Sequence, residues 1–129
     1  MEKIILIVDD EAIILLALAR ELRGTLGKGC RVETALNADS AFQLMDELDR
    51  EGCELAVVVS DWLMPGMKGD EFLVKVRARY PSIILLLVTG QADDAAIKRA
   101  VHEAQVLACV RKPWLSSEIV GLIKSASKL

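Results

Sequence analysis

Two rhythms of hydrophobic and polar positions run through this chain. Continuous apolar stretches at Lys3–Val8 (KIILIV), Leu55–Ser60 (LAVVVS) and Ile83–Val88 (IILLLV) have the length and β-branched content of strands buried on both faces. Arg31–Leu36 instead alternates Val32, Thr34 and Leu36 against Arg31, Glu33 and Ala35, which predicts a half-exposed strand at a sheet edge. Val106–Val110 reads as a last strand.

Helical spacing fills the intervals. From Glu11 to about Leu26, Ile14, Leu15, Leu18 and Leu22 form one stripe with Arg20, Glu21 and Arg23 opposite, until Gly27 and Gly29 break the pattern. Asn37 offers an N-cap to a helix over Ala38–Glu51, whose stripe is Ala41, Leu44, Met45 and Leu48 and which Gly52 ends. A third helix spans Gly69–Tyr80 on Phe72, Leu73 and Val76, closed by Pro81. A short polar helix, Asp93 to Ala104, turns Ala96, Ile97, Ala100 and Val101 inward, its Asp93-Asp94 start suiting the positive end of the helix dipole. The last, Leu115–Lys128, uses Ile119, Leu122 and Ile123, with Ser116 or Ser117 as cap.

Strands and helices therefore alternate five times, which predicts an α/β fold: a doubly wound parallel sheet with helices on both faces, built as a single domain over residues 1–129. In such sheets ligands sit beyond the carboxyl ends of the strands. The residues placed there are Asp9 and Asp10, Asp61, Thr89 and Lys112, followed by Pro113 and Trp114. Each alone has an ordinary explanation, since Asp after a strand commonly caps a helix. Their convergence on one sheet edge does not.

Composition narrows the partners. The chain is 53% hydrophobic and 27% charged, a globular balance. A net charge of −3 and only 4% aromatic residues argue against nucleic acid or an anionic membrane as a direct partner. The longest apolar runs, Ala12–Ala19 and Ile83–Val88, are too short to span a bilayer, and the start has no signal-peptide pattern. A cytoplasmic protein is expected. Cys30, Cys53 and Cys109 are odd in number and set among apolar residues, as buried reduced thiols would be.

Electrostatics states what the strand-end cluster needs. Two carboxylates about 5 Å apart repel by roughly 3 kcal/mol at an effective dielectric near 20. Asp9, Asp10 and Asp61 can all stay ionised only beside a cation, and Mg²⁺ suits such oxygen ligands. With Lys112 the formal charges then cancel, and the pocket can admit a phosphoryl group. Asp61, centrally placed, is the candidate nucleophile, attack giving an acyl phosphate. Thr89 and Lys112 would hold the phosphoryl oxygens.

These motifs, IVDDE at Ile7–Glu11, SDWLMPGMKG at Ser60–Gly69, VTG at Val88–Gly90 and KPW at Lys112–Trp114, in this order and spacing, resemble the receiver domains of response regulators in two-component signalling over essentially the whole chain. The resemblance implies a flavodoxin-like strand order 2-1-3-4-5 and a cis Lys112–Pro113 bond. It implies Asp61 as phosphoacceptor, Asp9 and Asp10 as the acidic pair for Mg²⁺, and the backbone carbonyl of Leu63 as a further metal ligand. Thr89 takes the place of the switch hydroxyl and Lys112 that of the family's lysine. Leu63 and Gln91 occupy the positions that tune acyl-phosphate lifetime. The implied partners are a histidine kinase or phosphotransfer protein as donor and an unspecified downstream protein. Such a domain is not an enzyme in the ordinary sense. One departure concerns output: where the family often carries Tyr, Phe or His, this chain has Cys109.

Other readings are weaker. A Mg²⁺-dependent phosphatase with an Asp nucleophile would place its carboxylates two apart, whereas Asp9 and Asp10 are adjacent. A flavin carrier would need a Ser/Thr/Gly-rich first turn, and here it is Asp9-Asp10-Glu11. A degenerate scaffold would not need the full set of five residues. The residues do not distinguish a stand-alone regulator from a module of a larger hybrid kinase or effector. His102 reads as a surface residue, Trp62 as pocket rim and Trp114 as packing. In the first helix Ile13 and Leu16 fall off the core stripe; ordinary helix packing is the simpler account, a partner helix or homodimer contact the other.

Overall fold

A computed structural model describes residues 3–26, 29–90, 93–111 and 116–127. The elements run β1 (Lys3–Val8), α1 (Ala12–Leu26), β2 (Cys30–Ala35), α2 (Ala38–Arg50), β3 (Glu54–Asp61), α3 (Gly69–Arg79), β4 (Ile84–Thr89), α4 (Asp94–His102), β5 (Ala108–Arg111) and α5 (Ser116–Ser127). The strands form one sheet in the order β2-β1-β3-β4-β5, every pairing parallel. The doubly wound sheet expected from the apolar runs is thus the observed one.

Period-two alternation divides the core between the two faces. Ile4, Leu6 and Val8 of β1 pack with α2, α3 and α4, whereas Ile5 and Ile7 pack with α1 and α5. The β1–β3 register slips between Ile4 and Ile5, passing over Ala56. Leu55 and Val57 therefore face opposite sides despite their even spacing. Phe42 and Phe72 meet edge to face, ring centroids 5.2 Å apart, joining α2 to α3.

Caps follow the sequence closely. The Asn37 side chain accepts the Ser40 N–H at 2.8 Å, and that of Asp93 accepts the Ala96 N–H at 2.8 Å. Gly52 takes φ +76° just past α2, the left-handed turn that a side chain would resist. Ser116 and Ser117 lie in the first turn of α5 rather than before it.

Four further expectations need correction. In β2, which does lie at the sheet edge, Ala35 is buried and Leu36 is 49% exposed, because helices cover both faces and Leu36 lies past the last paired residue. In α4 the buried stripe is Ala96, Ala100 and the following Ala104; Val101, one residue around the helix from Ala100, points outward. The three cysteines are free thiols, but half-buried rather than buried. Ile13 (83%) and Leu16 (66%) stand exposed while Leu15, Leu18, Ala19 and Leu22 are buried, so packing among the described residues does not cover them.

Arg77 fastens the end of the sheet opposite the strand-end cluster. Its guanidinium donates to the carbonyls of Tyr80, Pro81, Ile83, Ala104 and Gln105 at 2.8–3.3 Å. It thereby ties the end of α3 to the turns before β4 and β5, and burial lowers its pKa. Among the described residues no helix is long and apolar enough to cross a membrane.

Candidate phosphoacceptor site

Parallel pairing carries the acidic residues to one edge. Val8 pairs with Ser60, Asp61 with Val88 and Thr89 with Arg111. Asp9 therefore leaves the sheet beside Asp61, and Thr89 ends the neighbouring strand. One ligand oxygen from each of Asp9, Asp10 and Asp61 lies within 4.8 Å of the others. Asp9 and Asp61 are only 4% and 6% exposed, and Asp10 is exposed. A cleft of about 300 Å³ opens over them, lined by Asp10, Glu11, Asp61, Trp62, Leu63, Thr89 and Gly90.

Backbone hydrogen bonds aim these side chains. Asp9 Oδ1 accepts the Glu11 N–H at 2.9 Å, fixing the turn into α1. The Trp62 N–H is shared between Asp61 Oδ1 at 3.0 Å and the Val88 carbonyl at 2.9 Å, so the turn bearing Asp61 is tied to the end of β4. The chain then reverses through Pro65 and Gly66, the glycine at φ +81°. Gly69 brings α3 back hard against that turn: its N–H donates to the Trp62 carbonyl at 2.7 Å. A Cβ there would overlap the Asp61 carbonyl oxygen and stand 2.8 Å from Trp62 Cα.

The residues fit a hard divalent cation. At 4.8 Å a pair of carboxylates repels by about 3 kcal/mol at an effective dielectric near 20, and an all-oxygen donor set of this charge suits Mg²⁺. Thr89, 2% exposed, shares the same cleft. Leu63, 55% exposed, borders it. Lys112, the cis Lys112–Pro113 bond, Trp114 and Gln91 lie outside the described residues. Arg111, whose partner is Thr89, ends β5 at the same sheet edge.

Sequence reading missed one group. Trp62 lines the cleft, as expected, but it is only 8% exposed, and its indole Nε1 donates to Asp70 Oδ1 at 2.9 Å. The Lys68 ammonium sits 4.9 Å from the centre of its ring. Asp70, 2% exposed, receives Arg99 from α4 on its other oxygen at 2.5 Å. The Asp70 carboxylate holds Arg99 above its ordinary pKa, chiefly through that hydrogen bond. An Asp in the first turn of α3 reads in the sequence as ordinary dipole compensation, and no short-range signal pairs it with Arg99. Cys109 is half-buried beside the α4 face of the core, and burial raises its thiol pKa, with Arg111 opposing. His102 is exposed, as expected.

Fold and cleft together define a receiver domain. Residues 5–124 match the family described as "Response regulator receiver domain", and the chain belongs to it. It is 34% identical over 122 residues to the hydrogenase transcriptional regulatory protein HoxA of Cupriavidus necator, covering 95% of this chain but 23% of that protein. It is 29% identical over 112 residues to the chemotaxis protein CheY1 of Helicobacter pylori, covering 85% of each. The signal receiver domain of an HD domain-containing protein from Pseudomonas fluorescens superposes with a TM-score of 0.82 at 27% identity, over 99% of this chain and 96% of that one. The chain is thus a receiver domain of two-component signalling, and it spans less than a quarter of the HoxA protein it matches.

Proposed function

We propose that Asp61 accepts a phosphoryl group from a phosphohistidine on a histidine kinase or phosphotransfer protein, and that the new charge switches binding of a downstream protein. The observation that carries this is the meeting of Asp9, Asp10 and Asp61 within 4.8 Å in a cleft shared with Thr89. An Asp61 carboxylate oxygen attacks phosphorus. The new O–P bond forms as the P–N bond breaks, its electron pair leaving on the imidazole nitrogen. The attacking carboxylate carries no proton, so no general base is needed. The Thr89 hydroxyl and the Lys112 ammonium take the phosphoryl oxygens as charge develops on them. Asp9, Asp10, Asp61 and the Leu63 carbonyl would hold Mg²⁺, which when bound supplies neutralising charge for the carboxylates and the phosphoryl oxygens.

The reaction modifies the protein itself, so the domain acts as a regulatory switch rather than an enzyme. Loading Asp61 biases the Thr89 loop and α4 between two arrangements, and a protein preferring one of them is recruited by linkage. Exposed Ile13 and Leu16, on the helix that leaves the cleft at Glu11, offer apolar surface to a donor, a downstream protein or a second copy. The 23% coverage of HoxA supports a second reading of the setting, in which the domain is one module of a longer regulator. A cytoplasmic location follows from a kinase donor.

Intact-protein mass spectrometry after exposure to acetyl phosphate with Mg²⁺ tests the reading. One phosphoryl mass is expected on the wild type and none on Asp61→Asn. Equal gain in both, or none in either, would overturn it.

A further inference from the structure

A chain of polar contacts leads from the acidic cleft to α4. It starts at Asp61 Oδ1, which accepts the Trp62 N–H at 3.0 Å. It passes through the Trp62 indole N–H to Asp70 Oδ1 at 2.9 Å, and from Asp70 Oδ2 to Arg99 Nη1 at 2.5 Å. Arg99 Nε continues to Glu103 at 3.5 Å. Three elements are crossed: the end of β3, the first turn of α3 and the middle of α4.

Two features make this more than a surface ion pair. Asp70 is 2% exposed, so its carboxylate depends on these two donors, and losing either strands a buried charge. Trp62 and Arg99 therefore hold a common partner that resists being left by either. The link also spans open space: a cleft of about 150 Å³ lies between the starts of α3 and α4, bordered by Trp62, Lys68, Asp93 and Arg99. Ala96 and Ala100 seat α4 on the core, while beside them the polar bridge crosses a cleft, which leaves that side of the helix room to shift.

We propose that Asp70 is a positioning residue that couples α4 to the phosphoacceptor turn, gripping Trp62 with one oxygen and Arg99 with the other. This rests on Asp61 being the phosphoacceptor. Phosphoryl transfer converts the Asp61 carboxylate to an acyl phosphate, whose remaining carbonyl oxygen is a weaker acceptor for the Trp62 N–H. The turn relaxes, the indole moves, and Asp70 passes the movement to Arg99. Coupling is reciprocal, so a partner that displaces α4 alters how readily Asp61 is loaded.

Hydrogen exchange of the α4 amides, residues 94–102, measured before and after loading with acetyl phosphate and Mg²⁺, tests the coupling, with intact mass reporting the loaded fraction. In the wild type, loading should change α4 exchange by about fivefold. In Arg99→Gln, at an exposed position, the mass gain should persist while the α4 response falls below about twofold. Asp70→Asn keeps an acceptor for Trp62 and removes only the ion pair, so it should reproduce Arg99→Gln. A wild-type α4 response in either variant at equal loading, or no α4 response in the loaded wild type, overturns the coupling and leaves the phosphoacceptor reading intact. Failure of the wild type to gain mass overturns the phosphoacceptor reading itself.

Discussion

Gly69→Ala isolates the close approach that shapes the cleft. On helix propensity alone the change should stabilise the protein, by at most about 1 kcal/mol and by less at the first residue of a helix. The surroundings reverse the sign. The added methyl would meet backbone on every near side: the Asp61 carbonyl oxygen, the Asp61 carbonyl carbon at 2.9 Å and Trp62 Cα at 2.8 Å. Backbone cannot rotate away as a flexible side chain would, so overpacking should cost near the upper end of its usual range, about 3 kcal/mol. Moving α3 outward also lengthens the 2.7 Å bond from the Gly69 N–H to the Trp62 carbonyl, worth about 1 kcal/mol. The net expectation is a loss of about 3 kcal/mol in urea unfolding and a melting point lower by about 12 °C. Because the displaced atoms belong to Asp61 and its neighbour, loading by acetyl phosphate should slow by up to about a hundredfold. Gly121→Ala is the control: it lies within α5 with open space around it and should gain up to about 1 kcal/mol. A Gly69→Ala protein within about 0.5 kcal/mol of wild type, loading at the wild-type rate, would refute the claim that α3 seats the phosphoacceptor turn.

Other consequences are open to simpler measurements. Arg77→Met should lose about 3 kcal/mol in urea unfolding, because the part-buried carbonyls of Ala104, Tyr80 and Ile83 lose their donor. Arg77→Lys should recover less than half of that, since an ammonium lacks the fork that spans the two turns, and full recovery would contradict the account. Tyr80, the sole tyrosine, has its pKa pushed up to about 12, first by burial and then by donating to Asp49. The protonated phenol is favoured in the fold. Its contribution to stability is therefore complete below the ordinary tyrosine pKa near 10 and is lost as pH rises toward 12. Phenolate absorbance should titrate near 12 in the folded protein and near 10 in urea, and a native titration at 10 would contradict this. Asp10→Asn, at an exposed position, should leave the fold intact and weaken Mg²⁺ binding in calorimetric titration by at least about tenfold; unchanged affinity would remove Asp10 from the metal set.

The parts of this molecule that were legible in its sequence are those set by local pattern. Ile4–Val8 and Leu85–Val88 are buried on both faces, so nearly every position is apolar, and the run itself announces a central strand. Asn37 and Asp93 cap helices through bonds three residues long, a distance a sequence reader can count. Asp9, Asp10, Asp61 and Thr89 could be gathered in advance because parallel strands deliver their C-terminal ends to a common edge. What escaped depends on contacts between distant segments. Asp70 and Arg99 are 29 residues apart, and either would be ordinary on a solvated helix face. The outward turn of Val101 follows from three alanines letting α4 settle on its narrow face. The β1–β3 slip near Ala56 leaves no mark, because apolar residues lie on both sides of it.

Peptide mapping of the loaded protein after borohydride reduction locates the phosphorylated residue, since hydride converts an aspartyl phosphate to the corresponding alcohol at the residue that carried it. The altered residue should be position 61, in wild-type protein incubated with acetyl phosphate and Mg²⁺, and it should vanish when Mg²⁺ is chelated. Reduction product at Asp9, Asp10 or any other carboxylate, with position 61 unchanged, would contradict the account.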